Sequence, residues 1–134
     1  MNALFNQTEW PAPGSVVSVP AYLVFRHKGI VSDRWYRGKP MVISNSARVG
    51  HGAEEPWDLF SSGQQWTDEG YPGNLPPWQV LERARASLAE LYNAFAWNCD
   101  MFVSDAHGLV PTSPQLAVVL LAAAAVGIAL IASR

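Results

Sequence analysis

The sequence predicts an α+β fold, with a small antiparallel sheet packed on helices and a hydrophobic transmembrane helix at the C-terminal end. Residues 16–19 and 22–25 are mostly β-branched or aromatic, a composition typical of strands, and residues 27–31 and 41–44 are also interpreted as strands. Apolar residues recur at helical spacing between residues 77 and 93. An unbroken apolar run of 17 residues, from 116 to 132, follows.

The first half of the chain predicts strands. Residues 22–25 extend the first strand or form a second one, because Pro20 interrupts the pattern. Residues 33–40 contain Gly38 and Pro40 and predict a loop, so the strands on either side of it form a hairpin.

The second half predicts helices. Acidic residues and Pro56 open a short helix over residues 54–60. A longer helix runs from about Pro77 to Asn93, and another begins at Asn98 or Cys99 and ends at Gly108.

These elements divide the chain into three parts. Residues 1–12 are an irregular lead-in, residues 13–110 form one compact domain, and residues 111–134 are a hinge and a membrane-anchor helix. The apolar run spans about 25 Å as a helix, the short end of what crosses a bilayer. The alternative is a buried helix in a soluble core. So small a chain has little surface to cover a helix that is apolar on every side, which favours the membrane.

Composition narrows the functional classes. The net charge of −2 and the lack of a basic stripe argue against nucleic-acid binding. One cysteine excludes an internal disulfide framework and fits a reducing compartment. Three scattered histidines and one cysteine do not make a metal site, and no Gly-rich phosphate loop is present. We therefore expect no metal and no cofactor.

Cys99 is the candidate nucleophile. Asn98 is a good N-cap, so Cys99 lies in the first turn of a helix, where the helix dipole stabilises a thiolate. The backbone amides that open this helix can also stabilise an oxyanion.

Three histidines compete as the base. His27 lies in a strand beside Gly29, whose missing side chain leaves space. His51 lies between two glycines and is interpreted as a surface loop residue. His107 lies at the far end of the Cys99 helix, about 12 Å from the thiol, and is interpreted as a favourable cation at a helix C-terminus. Spacing alone does not decide whether His27 is a catalytic base or an ordinary strand residue.

Two motifs carry a resemblance to a known family. Residues 27–33 and 41–44, His-Lys-Gly-Ile-Val-Ser-Asp and Met-Val-Ile-Ser, resemble the His-x-Gly-Ile-Tyr-x-Gly-Asp … Val-Ile-His box of the lecithin:retinol acyltransferase-like family. Residues 98–103, preceded by Tyr92, resemble its Asn-Cys-Glu-His-Phe motif. The family is a permuted branch of the NlpC/P60 papain-like superfamily, and the resemblance covers about residues 13–108.

The resemblance implies Cys99 as nucleophile and His27 as base. The family's second histidine is replaced by Ser44, with Asn45 next in sequence. Asn45 points to the other face of a regular strand unless a bulge turns it. An amide oxygen can orient an imidazole, and a serine hydroxyl does so more weakly.

Three functions follow as hypotheses. The first is a membrane-anchored thiol acyltransferase or phospholipase that forms an acyl-thioester on Cys99 from a lipid or other acyl ester. The second is a cysteine peptidase or amidase on the same fold. The third is a catalytically degenerate membrane-associated binding or assembly module. A single-pass C-terminal anchor with a cytoplasmic domain is expected, because the N-terminus lacks a signal peptide and the chain has one thiol. Homo- or hetero-oligomers are left open.

Overall fold

The described part of the chain contains one five-stranded antiparallel sheet. A computed structural model describes residues 10–21 and 24–133. The strands are β1 (Val16–Pro20), β2 (Arg26–Tyr36), β3 (Lys39–Asn45), β4 (Gly52–Glu55) and β5 (Thr67–Gly70). Their order in space is β4-β3-β2-β1-β5, and every neighbouring pair is antiparallel. The predicted α+β class with an antiparallel sheet is confirmed.

Four helices accompany the sheet in the described residues. They are α1 (Trp57–Ser61), α2 (Pro77–Ala86), α3 (Cys99–Ala106) and α4 (Pro114–Ala132). The side chain of Asn98 caps α3 by accepting a hydrogen bond from the amide of Met101 at 3.1 Å. Gly108 follows α3 at φ +74°, a conformation that suits glycine at a helix stop. The predicted start and end of the Cys99 helix are therefore confirmed.

The sheet carries a hydrophobic cluster on each face. One cluster joins alternate strand residues to α2 and α3, and its members include Ile30, Ile43, Val80, Leu81 and Phe102. The other joins the intervening residues to α1, and its members include Val17, Val31, Val42, Trp57 and Phe60. Successive strand residues point to opposite faces, so Lys28 shares the α3 face with Ile30, and His27 shares the α1 face with Val31.

The predicted loop over residues 33–40 is wrong. β2 continues to Tyr36, β3 begins at Lys39, and a two-residue turn joins them. Arg37 and Gly38 both have positive φ, +50° and +78°, as tight hairpin turns require. The last four residues of β2 are exposed, so the strand gives no alternating apolar signal there.

Other boundaries differ from the sequence-based expectations. Residues 54 and 55 belong to β4, and α1 begins only at Trp57. Of the strand expected over 22–25, residues 22 and 23 lie outside the described residues, Val24 is in a turn, and Phe25 is not in a strand. Residues 1–9 of the expected lead-in also lie outside the described residues.

α2 ends earlier than the expected Asn93. The amides of Ser87 and Leu88 still donate to carbonyls of α2, and beyond them the backbone also forms hydrogen bonds with residue 50 and with residue 52, at the start of β4. The carbonyl of Leu88 accepts from the amide of Gly52 at 3.0 Å, and the amide of Tyr92 donates to the carbonyl of Gly50 at 2.9 Å. These tertiary bonds override the helical periodicity of residues 88–92.

α4 has the length and composition of a membrane-spanning helix. Its 19 residues have a mean hydropathy of 2.5 in the most apolar window, and none of that window is buried. The alternative of a helix buried in a soluble core is therefore not what the described residues form.

Candidate functional site

A cavity of about 620 Å³ opens at the end of the sheet where β1 ends and β2 begins. Both Cys99 and His27 border it. They reach it from different sides, because Cys99 opens α3 on one face of the sheet and the His27 ring packs on Phe60 of α1 on the other. The structure thus brings the two predicted residues to one cavity across the end of β2.

The Cys99 thiol lies against the backbone of β2. Its Sγ donates to the carbonyl oxygen of Arg26 at 3.8 Å. Burial raises the pKa of Cys99. The backbone amide of Lys28 opposes this change, and the negative charge of Asp100 adds to it. The thiol is therefore protonated at rest, contrary to the thiolate expected from the helix dipole.

The His27 imidazole is neutral at pH 7. Burial lowers the pKa of His27 to about 4, and the positive charge of Arg48 contributes to the same change. The ring centroids of His27 and Phe60 are 5.1 Å apart. Among the described residues, no hydrogen bond joins either ring nitrogen of His27 to Cys99. The resting site therefore holds a neutral thiol and a neutral imidazole rather than an ion pair.

Gly29 does not leave the space that the sequence suggested. A Cβ at this position would lie 2.5 Å from Cγ1 of Val42 and 3.0 Å from the Phe60 ring. Glycine is needed here for close packing of β2 against β3 and α1, not to make room for His27.

Neither candidate for the third catalytic residue borders the cavity. Ser44 is buried and has the same strand parity as Val42, which places it on the His27 face. Asn45 is buried on the opposite face, where its Nδ2 donates to the carbonyl of Trp97 at 3.2 Å. β3 and β4 stay in regular register at Asn45, so no bulge turns it toward His27. Asn45 holds the segment before Cys99 instead.

The other two histidines lie outside the cavity and contact backbone carbonyls. His51 is exposed, and its Nδ1 lies 2.6 Å from the carbonyl oxygen of Gly52. His107 is buried, so its interpretation as a helix-terminal cation is wrong. Burial lowers the pKa of His107, and its Nε2 donates to the carbonyl of Gly14 at 2.8 Å. His107 ties the end of α3 to the turn before β1.

A buried carboxylate next to Cys99 is the main feature that sequence reasoning missed. Asp100 forms a salt bridge of 3.0 Å with Nζ of Lys28. It also accepts from the Ser113 hydroxyl at 2.8 Å and from Nε2 of Gln115 at 3.1 Å. One sequence feature could have indicated this ion pair. Lys28 follows His27 directly, so strand alternation places Lys28 on the opposite face of the sheet, where α3 packs.

Gln115 connects α4 to the same place. Its Oε1 accepts from the amide of Arg26 at 2.7 Å, and its Nε2 donates to the carbonyl of Arg26 at 3.0 Å. The Cys99 thiol contacts that same carbonyl. The first turn of α4 is therefore part of the wall around Cys99.

Tyr92 is a second residue that the sequence gave no role. It borders the cavity, and burial raises the pKa of its hydroxyl. The negative charge that Cys99 carries once it ionises, and the charge of Asp100, act in the same direction. A protonated phenol that borders the same cavity as the thiol can donate a hydrogen bond to an oxyanion.

The geometry also bears on metals. Among the described residues, no group of three His, Cys, Asp or Glu side chains is placed to hold a metal ion.

The chain was compared with known proteins. It matches no protein-family model and no curated protein.

Proposed function

We propose that the protein is a membrane-anchored thiol acyltransferase or phospholipase of the lecithin:retinol acyltransferase-like type, with a permuted papain-like fold. The observation that carries the proposal is the shared cavity, in which Cys99 of a capped helix and His27 of a central strand border the same mostly apolar space. The first turn of the apolar helix α4 also borders it. An apolar cavity beside a membrane helix favours a lipid ester over a peptide.

In each of the two half-reactions, the same imidazole takes one proton and returns it. As Sγ of Cys99 attacks the ester carbonyl carbon, neutral His27 takes the thiol proton and the S–C bond forms. The tetrahedral intermediate collapses, the ester C–O bond breaks, and His27 returns the proton to the departing alcohol. Water or an amine then attacks the thioester carbonyl carbon and loses a proton to His27, the C–S bond breaks, and His27 returns that proton to Sγ of Cys99 as the acid or amide leaves.

At rest the proton is on the thiol and the imidazole is free to accept it. The raised pKa of Cys99 and the lowered pKa of His27 both oppose the transfer, so the proposal requires that substrate binding change the surroundings of the pair. The contact between His27 and Cys99 must form when substrate is bound, and catalytic hydrogen bonds commonly tighten at that stage. The backbone amide of Lys28 and the hydroxyl of Tyr92 are suited to the oxyanion.

The deciding experiment is mass spectrometry of the full chain after incubation with phosphatidylcholine and phosphatidylethanolamine vesicles. We expect an acyl adduct on Cys99, none in Cys99→Ala, and much less in His27→Ala. His51→Ala is the matched control, because His51 is a histidine outside the cavity, and it should form the adduct normally. Lipid turnover that persists in Cys99→Ala contradicts the proposal.

A second function, a non-catalytic membrane-associated binding module, is favoured by two features of the Cys99 site. The pKa of Cys99 is raised, and no hydrogen bond connects Cys99 to His27 in the described residues. The pH dependence of Cys99 alkylation, measured with and without lipid vesicles, separates the two functions. An alkylation pKa that falls on lipid addition supports the enzyme, and one that stays above that of a free thiol, about 8.5, supports the binding module.

A further inference from the structure

The start of α4 is fixed to the domain. The Ser113 hydroxyl caps the helix at the amide of Leu116 and donates to Asp100. Gln115 makes two hydrogen bonds with the backbone of Arg26. The helix therefore leaves the domain at a defined point, next to the cavity.

No spacer separates this point from the apolar helix. The apolar run begins at Leu116, immediately after Gln115. Leu116 and Val119 both border the cavity, and they lie on one side of the helix about 4.5 Å apart along its axis. A bilayer that takes up α4 therefore reaches the wall of the cavity.

The remaining walls suit a hydrocarbon chain. Leu59, Phe60 and Phe95 border the cavity together with the two α4 residues. The charged residues at the cavity are compensated within the described residues. Arg26 pairs with Glu69 at 3.8 Å, Arg48 with Glu55 at 2.7 Å, and Asp100 with Lys28 at 3.0 Å. These pairs leave little charge to hold an ionic ligand, and a volume of about 620 Å³ is in the usual range for a small ligand.

We propose that the cavity takes the acyl chain of a bilayer lipid directly from the membrane, along Leu116 and Val119, with the ester end at Cys99. The placement of the ester rests on the proposed function, but the binding of the chain does not require catalysis. The chain therefore contacts Leu59 and Phe95, which belong to the domain, as well as α4.

The test is photocrosslinking of full-length Cys99→Ala in phosphatidylcholine vesicles that contain phosphatidylcholine with a diazirine in one acyl chain. The informative products are crosslinks to Leu59 and Phe95, because α4 itself meets lipid wherever it is inserted. Val119→Trp fills the cavity and is expected to reduce these crosslinks about tenfold. Val126→Trp is the matched control, since it lies two turns further on the same side of α4 and outside the cavity, and it should leave them unchanged.

Two results overturn the inference. The first is crosslinking confined to α4, and the second is an equal effect of the two tryptophans on Leu59 and Phe95. Thermal melting of each variant in detergent shows that both are folded. If the crosslinks behave as expected and the wild-type chain forms no acyl-thioester, the acyl-chain site stands and the proposed enzyme activity fails.

Discussion

Single residues around Cys99 set the reactivity of the thiol. Lys28 and Asp100 form one salt bridge, but their charges act on the pKa of Cys99 in opposite directions. Substitution of either residue breaks the same bridge, so the two variants share a structural defect and differ in their electrostatic effect.

We therefore predict opposite changes in alkylation. Asp100→Asn removes the negative charge and lowers the pKa of Cys99, so iodoacetamide reacts faster at neutral pH. Lys28→Met removes the positive charge and raises the pKa of Cys99, so the reaction with iodoacetamide slows. The measurement is the alkylation rate across pH 6 to 10 in detergent. Changes of the same sign in both variants mean that loosened packing, not charge, controls the thiol.

His27 makes stability depend on pH. Its pKa is about 4 in the folded protein and near 6.5 in the unfolded chain, so the unfolded chain binds the proton first as the pH falls. The contribution of His27 to the free energy of unfolding is fully present above pH 6.5. It is lost as the pH falls towards 4, and the total loss is at most about 3 kcal/mol.

Urea unfolding followed by tryptophan fluorescence between pH 7.5 and 5 measures this loss. His27→Gln should flatten the profile, and His51→Gln, at an exposed site, should leave it unchanged. A residual slope is expected from His107, whose pKa is also lowered by burial. An identical profile in wild type and His27→Gln contradicts the burial of an uncharged imidazole.

At the scale of elements, close packing of β2 against β3 depends on Gly29. The nearest atom to an added Cβ is Cγ1 of Val42, at 2.5 Å. Gly29→Ala is predicted to destabilise the protein by about 1–3 kcal/mol. Val42→Ala removes that atom, so the double variant should lose less stability than the sum of the single losses, as measured by urea unfolding. Strict additivity shows that the cost of Gly29→Ala arises elsewhere, for instance at Phe60.

The sequence predicts those elements in which pattern and burial agree. Val16, Ile30 and Ile43 each point into the core from one face of the sheet, so β1 and the core parts of β2 and β3 follow from their apolar pattern. Asn98 caps α3, so the start of that helix also follows from a local rule. β5 is wholly exposed, and the outer end of the β2–β3 hairpin has no buried face. Such segments have no buried face, so no alternation of apolar and polar residues marks them in the sequence. They are strands because they form hydrogen bonds with neighbouring strands, and sequence pattern does not reveal that pairing.

The site was predictable in part for a similar reason. Cys99 and His27 are chemically distinctive and lie in recognisable local contexts, and the structure brings both to one cavity. The role of Gln115 depends on its bonds to Arg26, 89 positions earlier in the chain, and no local rule indicates such a contact. The position of Asn45 on the face away from His27 follows from strand alternation alone.

At the scale of the whole molecule, α4 is predicted to hold the protein in the bilayer. Ala123→Arg places a charge near the middle of the helix and should cost about 2.5–3.5 kcal/mol of insertion. Ser133→Arg adds the same charge at the end of α4 and should cost little, because arginine reaches the interface there. Flotation of the full chain with lipid vesicles measures the bound fraction. Equal flotation of wild type and Ala123→Arg contradicts insertion of α4.

The two hydrogen bonds between the Gln115 amide and the backbone of Arg26 copy the pairing of one strand residue with its neighbour. A flexible tether would let the domain tumble above the lipid headgroups and sample every orientation. This joint removes that rotational freedom, so that if α4 spans a bilayer as proposed, its tilt sets the angle at which the domain meets the membrane plane. A change in bilayer thickness, which changes the tilt of a spanning helix, would then act on the position of the Arg26 carbonyl that the Cys99 thiol contacts.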